Sequence, residues 1–61
     1  MKTMLWSGPI VFYNGISFYL KVNVRQSLVD VLIGACPTRS VFIEKDGKET
    51  KVFLGELTSH N

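Results

Sequence analysis

From Ile16 to Val24 the side chains alternate without a break. Ile16, Phe18, Leu20, Val22 and Val24 fall on one side, and Ser17, Tyr19, Lys21 and Asn23 on the other. A period of two over this length predicts a half-buried β-strand. Asn14-Gly15 stands immediately before it and favours a two-residue type I′ turn, whose central residues both need positive φ. The apolar run ahead of the turn then folds back, setting Tyr13 against Ile16, Val11 against Phe18 and Pro9 against Leu20. Ile10 meets Tyr19 and Phe12 meets Ser17 on the opposite face. Pro9 has no donor and predicts an edge position or a bulge. An unbroken register would place Trp6 near Asn23, and Ser7-Gly8-Pro9 argues against that continuation.

A second hairpin is predicted around Asp46-Gly47, with strands near Ser40–Glu44 and Lys51–Leu54. Val41 and Ile43 share one side and Phe42 takes the other; Val52 and Leu54 likewise oppose Phe53. Two registers fit. A two-residue loop sets Glu44 against Glu49, a like-charge pair that costs some repulsion. A four-residue loop sets Phe42 against Phe53 and Glu44 against Lys51, which is the better-paired arrangement. Both leave the faces unchanged.

Between the hairpins, Val24, Leu28, Val31, Leu32 and Ala35 recur at helical spacing, while Val29, Ile33 and Cys36 form a second apolar stripe. Asn23 with Gln26 three residues on reads as a capping box, and Gly34 with Pro37 supplies the stop. The spacing favours a helix over the buried strand that this β-branched run would also permit. The expected fold class is therefore α+β: a small antiparallel sheet of two β-hairpins with one central helix (ββαββ). Residues 1–57 form a single domain and residues 58–61 a polar tail that frays.

Length makes burial the governing problem. A chain of 61 residues of this kind hides only about 60% of the surface its unfolded form exposes. Domains below roughly 70–80 residues usually add disulfides, a metal or a partner chain. Cys36 is the only cysteine, so no internal disulfide or multi-thiolate zinc site forms, and oligomerisation is the device left. A single unpaired thiol fits a reducing cytoplasm. The composition is 46% hydrophobic, too apolar for a disordered chain, and the net charge of +2 permits nucleic acid without arguing for it.

Thr3 to Leu20 carries no charge and nearly reaches the length of a membrane span. Ser7, Gly8, Pro9, Asn14, Gly15 and Ser17 interrupt it, and no Ala-x-Ala-like cleavage site appears after it. A soluble chain is expected, with neither membrane nor secretory role. Enzymatic chemistry is not expected. His60, the only histidine, sits in the predicted tail, where nothing would hold it against a proton donor. Cys36 reads as a small buried hydrophobe rather than a reactive thiol. Glu44, Glu49 and Glu56 have no second carboxylate placed to share a proton or metal, and the glycines are scattered turn or cap residues rather than a phosphate loop. No metal or cofactor is expected, and no family signature is present.

The apolar surplus is the feature that points to function. With the helix over Val11, Phe18, Leu20, Val22, Val41, Ile43, Val52 and Leu54, the other side of the sheet carries Trp6, Ile10, Phe12, Tyr19, Phe42 and Phe53, with Lys21 and Lys51 among them. A lone copy would expose a patch beyond what soluble monomers usually show. A homodimer is expected and would cover it. So would a protein partner, since aromatic residues with a few basic ones match interface hot spots. A chain of this size without catalytic groups fits a small interaction or inhibitory module of the sort phages and mobile elements carry. The alternatives are single-stranded nucleic acid, with bases stacked on the aromatics and phosphates on the lysines, or a small molecule or nucleotide held at a dimer interface.

Overall fold

A computed structural model of the chain describes residues 8–59. It is a small α+β fold. Strands β1 (Ile10–Tyr13), β2 (Ile16–Leu20), β3 (Ser40–Lys45), β4 (Lys48–Phe53) and β5 (Thr58–Ser59) form one antiparallel sheet in the order β4-β3-β2-β1-β5. Helix α1 (Val29–Ala35) lies between β2 and β3 in the chain. Among the described residues, no helix is long and apolar enough to cross a membrane.

Both turns take the backbone their sequences demand. Asn14 and Asp46 have φ of 53°, and Gly15 and Gly47 take 78° and 81°. Positive φ at both central positions matches the right-handed twist of the strands on either side. The first hairpin has the expected register, Ile10↔Tyr19 through Tyr13↔Ile16, and Pro9 accepts a hydrogen bond from the Leu20 amide at 2.7 Å. The second hairpin closes on its two-residue loop, so Glu44 does face Glu49. The better-paired four-residue loop is not used. The Asp46-Gly47 turn sets this register, and Lys21 from outside the hairpin offsets the repulsion: just past β2, its Nζ lies 3.7 Å from Glu44 and 3.3 Å from Glu49, bridging both carboxylates.

The helix departs from expectation in phase and in cap. Arg25 is extended, Gln26–Leu28 form a 3-10 turn, and only from Val29 is the helix α. A tighter turn of about three residues puts Leu28 out of step with the α-helical residues after it. The core-facing side consequently mixes the two stripes, keeping Val24 and Leu32 of the first with the second. Val29 is fully enclosed and Leu32, Ile33 and Cys36 pack against the core, while Leu28 and Val31 are left 48% and 64% exposed. No side chain caps either helical segment. Gln26 works elsewhere: its Oε1 accepts the Ile10 amide at 2.7 Å and its Nε2 donates to the Ile10 carbonyl at 2.9 Å. One primary amide thus completes the outer edge of β1 beyond the Val11–Ser59 pair. Gln26→Met keeps the volume and removes both bonds. It is expected to cost about 1–3 kcal/mol, read as a lower urea midpoint with unchanged slope.

The chain after β4 also differs from expectation. Leu54–Glu56 form a second 3-10 turn that buries Leu54 and, three residues on, Leu57. The Glu56 carboxylate accepts the Phe53 amide, and the Gly55 amide donates to the Pro37 carbonyl at 2.8 Å. Gly55 has no room for a side chain there, since a Cβ would sit 3.0 Å from that same carbonyl oxygen. Thr58 and Ser59, expected to fray, instead pair with Phe12 and Val11 as β5, and the Ser59 hydroxyl donates to Asp30 of α1. The element order is therefore ββαβββ rather than ββαββ. Val11, Leu20, Val29, Val41, Ile43, Val52, Leu54 and Leu57 make the core, all on the helix side of the sheet.

Candidate binding face

The register fixes the composition of the side away from the helix. Ile10 and Phe12 come from β1, Ser17 and Tyr19 from β2, Ser40, Phe42 and Glu44 from β3, and Glu49, Lys51 and Phe53 from β4. Lys21, the residue after β2, donates its amide to the Phe42 carbonyl and carries the same face one step further. Each of β1 to β4 contributes one large aromatic to this face, displaced by two residues from its neighbour. Phe12 sits opposite Ser17, two from Tyr19; Tyr19 sits opposite Glu44, two from Phe42; Phe42 sits opposite Lys51, two from Phe53. Diagonal neighbours of this kind lie about 7–8 Å apart, within reach of aromatic rings. The result is a diagonal stripe, Phe12–Tyr19–Phe42–Phe53, across four strands.

Exposure rises along that stripe toward β4. Ile10 and Phe12 are half-buried, whereas Tyr19, Phe42 and Phe53 are 41%, 47% and 53% exposed. Of the residues expected on this face, Ile10, Phe12, Tyr19, Lys21, Phe42, Lys51 and Phe53 are brought together on it, and Trp6 lies outside the described residues. His60 lies outside them too.

Charge on this face is only half legible in the sequence. Lys21 and Lys51 flank Phe42, but Glu44 and Glu49 stand beside them, and Lys21 is engaged by both. Lysines and glutamates are equal in number here, so no net positive field lies over the aromatics. A phosphate backbone gains its affinity from such a field through counterion release. Lys51 has no carboxylate partner among the described residues.

The β2–β3 ladder is short, Tyr19↔Glu44 and Leu20↔Ile43, continued by the bond from the Lys21 amide to the Phe42 carbonyl. A shallow hollow of about 190 Å³ opens there, lined by Ile10, Ser17, Tyr19 and Glu44 among others. A second, of about 160 Å³, lies between Val24, Leu32, Arg39 and Leu54. Both are smaller than the roughly 300 Å³ at which ligand pockets begin. Among the described residues no three His, Cys, Asp or Glu side chains converge as a metal site.

Leu28 and Val31 form a further exposed apolar pair on the outer side of the helical segment. Continuous helical phasing hides this pair; the 3-10 lead-in reveals it. No protein-family model, no curated protein and no solved structure matches this chain.

Proposed function

We propose that this chain is a small non-enzymatic protein-binding module whose contact surface is the diagonal stripe Phe12–Tyr19–Phe42–Phe53. Support comes from the pairing of exposed rings with balanced charge. Interface centres are enriched in aromatics and depleted in net charge, with polar groups around the rim. Here the rings occupy the diagonal and Lys21, Glu44, Glu49 and Lys51 the flanks. A surface for single-stranded nucleic acid needs the same rings on a basic ground, and two glutamates beside two lysines do not provide one. An inhibitory role, by occupying a partner's own surface, is one form such binding would take.

The test is a comparison of baits under identical conditions. Immobilised wild type is expected to capture a partner from its native host, and the Phe42→Ser/Phe53→Ser variant to lose it. Val31→Ser, which alters an exposed apolar residue elsewhere, should retain it. Capture that survives the double substitution overturns the proposal. Gel shifts with single-stranded oligonucleotides supply the second arm. No salt-sensitive shift is expected, and a shift that weakens steeply as salt rises would favour nucleic acid instead.

A further inference from the structure

We infer that the open edge of β4 pairs with β4 of a second copy, antiparallel about a two-fold axis at Thr50, extending the sheet across two chains. The two edges of the sheet are treated differently. Beside β1 the edge is closed by β5 and by the Gln26 amide. Among the described residues, β4 ends the sheet on the other side.

The turn determines which of its groups are free. In a two-residue hairpin the residues flanking the loop exchange both main-chain bonds, so Lys48 bonds to Lys45, and Thr50 and Val52 do the same in alternation with their own partners. The Leu54 amide continues the series by donating to Arg39 at 2.8 Å. Glu49 and Lys51 therefore turn their N–H and C=O groups outward. The next outward amide, that of Phe53, is taken by Glu56, which limits the open stretch to the segment around Thr50.

Side chains then select the occupant and its register. Glu44 and Glu49 share a single cation, Lys21, and Lys51 stands on the same face without a carboxylate among the described residues. An axis at Thr50 puts Glu49 of each copy opposite Lys51 of the other, and these are the residues whose main-chain groups are free. About four main-chain hydrogen bonds form across the seam. The two carboxylates of each copy gain the second cation they lack. Shifting the pairing by two residues opposes Glu49 with Glu49 in one direction and Lys51 with Lys51 in the other. Charged residues on an edge strand ordinarily discourage pairing; this arrangement is self-complementary in one register and repulsive in its neighbours. The seam leaves the aromatic stripe of each copy uncovered on the same side of the joined sheet.

Sedimentation velocity over a concentration series is the measurement. Wild type is expected to form a dimer. Glu49→Lys and Lys51→Glu alone should each weaken it by at least about tenfold, and their equimolar mixture should restore it as a heterodimer. In a Cys36→Ser background, Thr50→Cys should cross-link under mild oxidation, because residues on the axis form a non-hydrogen-bonded pair with Cα atoms about 4.5 Å apart. Wild type that stays monomeric at millimolar concentration overturns the inference. So does a dimer indifferent to both charge substitutions and without the cross-link. Thr50 shares the helix side of the sheet with Ile43, away from the stripe and its flanking charges, so the cross-link reports on the seam separately from the partner-capture test.

Discussion

Ile43→Ala is expected to leave most of the chain unfolded. Ile43 is fully enclosed at the centre of the sheet, between Leu20 of β2 and Thr50 of β4. Truncating a buried isoleucine costs about 2–5 kcal/mol. A domain of this size commands only about 3–5 kcal/mol in total, so the substitution removes most or all of it. Ile43→Val deletes one methylene and should cost about 0.5–1.5 kcal/mol, keeping the fold with a lower urea midpoint. Circular dichroism on the pair checks both. An Ile43→Ala variant as stable as wild type would mean that the helix side of the sheet is not where stability resides.

Phe42→Ser, one residue away, is expected to do the opposite. Its side chain points to the other face and is 47% exposed. Loss of strand propensity and cross-strand contact should cost no more than about 1 kcal/mol. Binding is where the loss falls. Truncating a hot-spot aromatic removes about 2 kcal/mol or more, near thirtyfold in affinity. The contrast between adjacent residues of β3 separates the face that folds the chain from the face proposed to meet a partner. Equal destabilisation by Phe42→Ser and Ile43→Ala would erase that distinction.

The legible and illegible parts of this fold divide by the range of the interactions that set them. Asn14-Gly15 and the alternation after it carry the first hairpin complete, because turn type, register and faces all depend on neighbouring residues. In the second hairpin the Glu44–Glu49 repulsion is relieved by Lys21, which lies outside that hairpin, just past the neighbouring strand β2. Helix phase is lost at a short 3-10 turn, where three residues per turn replace 3.6. Gln26 has the spacing of a cap residue and is used on β1, a contact sixteen positions away in the chain. β5 is too short to show a period. Its one usable signal is the Leu54–Leu57 spacing, which matches a 3-10 turn that buries both ends.

The candidate face is legible for the same local reason as the first hairpin: alternation assigns Phe12, Tyr19, Phe42 and Phe53 to one side whatever the second register is. Their diagonal alignment is not, because it depends on how the two hairpins dock at Tyr19↔Glu44. Nor is the balance of charge, which needs Glu44 and Glu49 placed beside the lysines.

Hydroxyl-radical footprinting of the free chain and of its complex with a captured protein probes the account most directly. Tyr19, Phe42 and Phe53 should oxidise readily in the free chain and be shielded in the complex, with Leu28 and Val31 equally reactive in both. Shielding of Leu28 and Val31 with the three rings still reactive would place the contact on the helix and contradict the account.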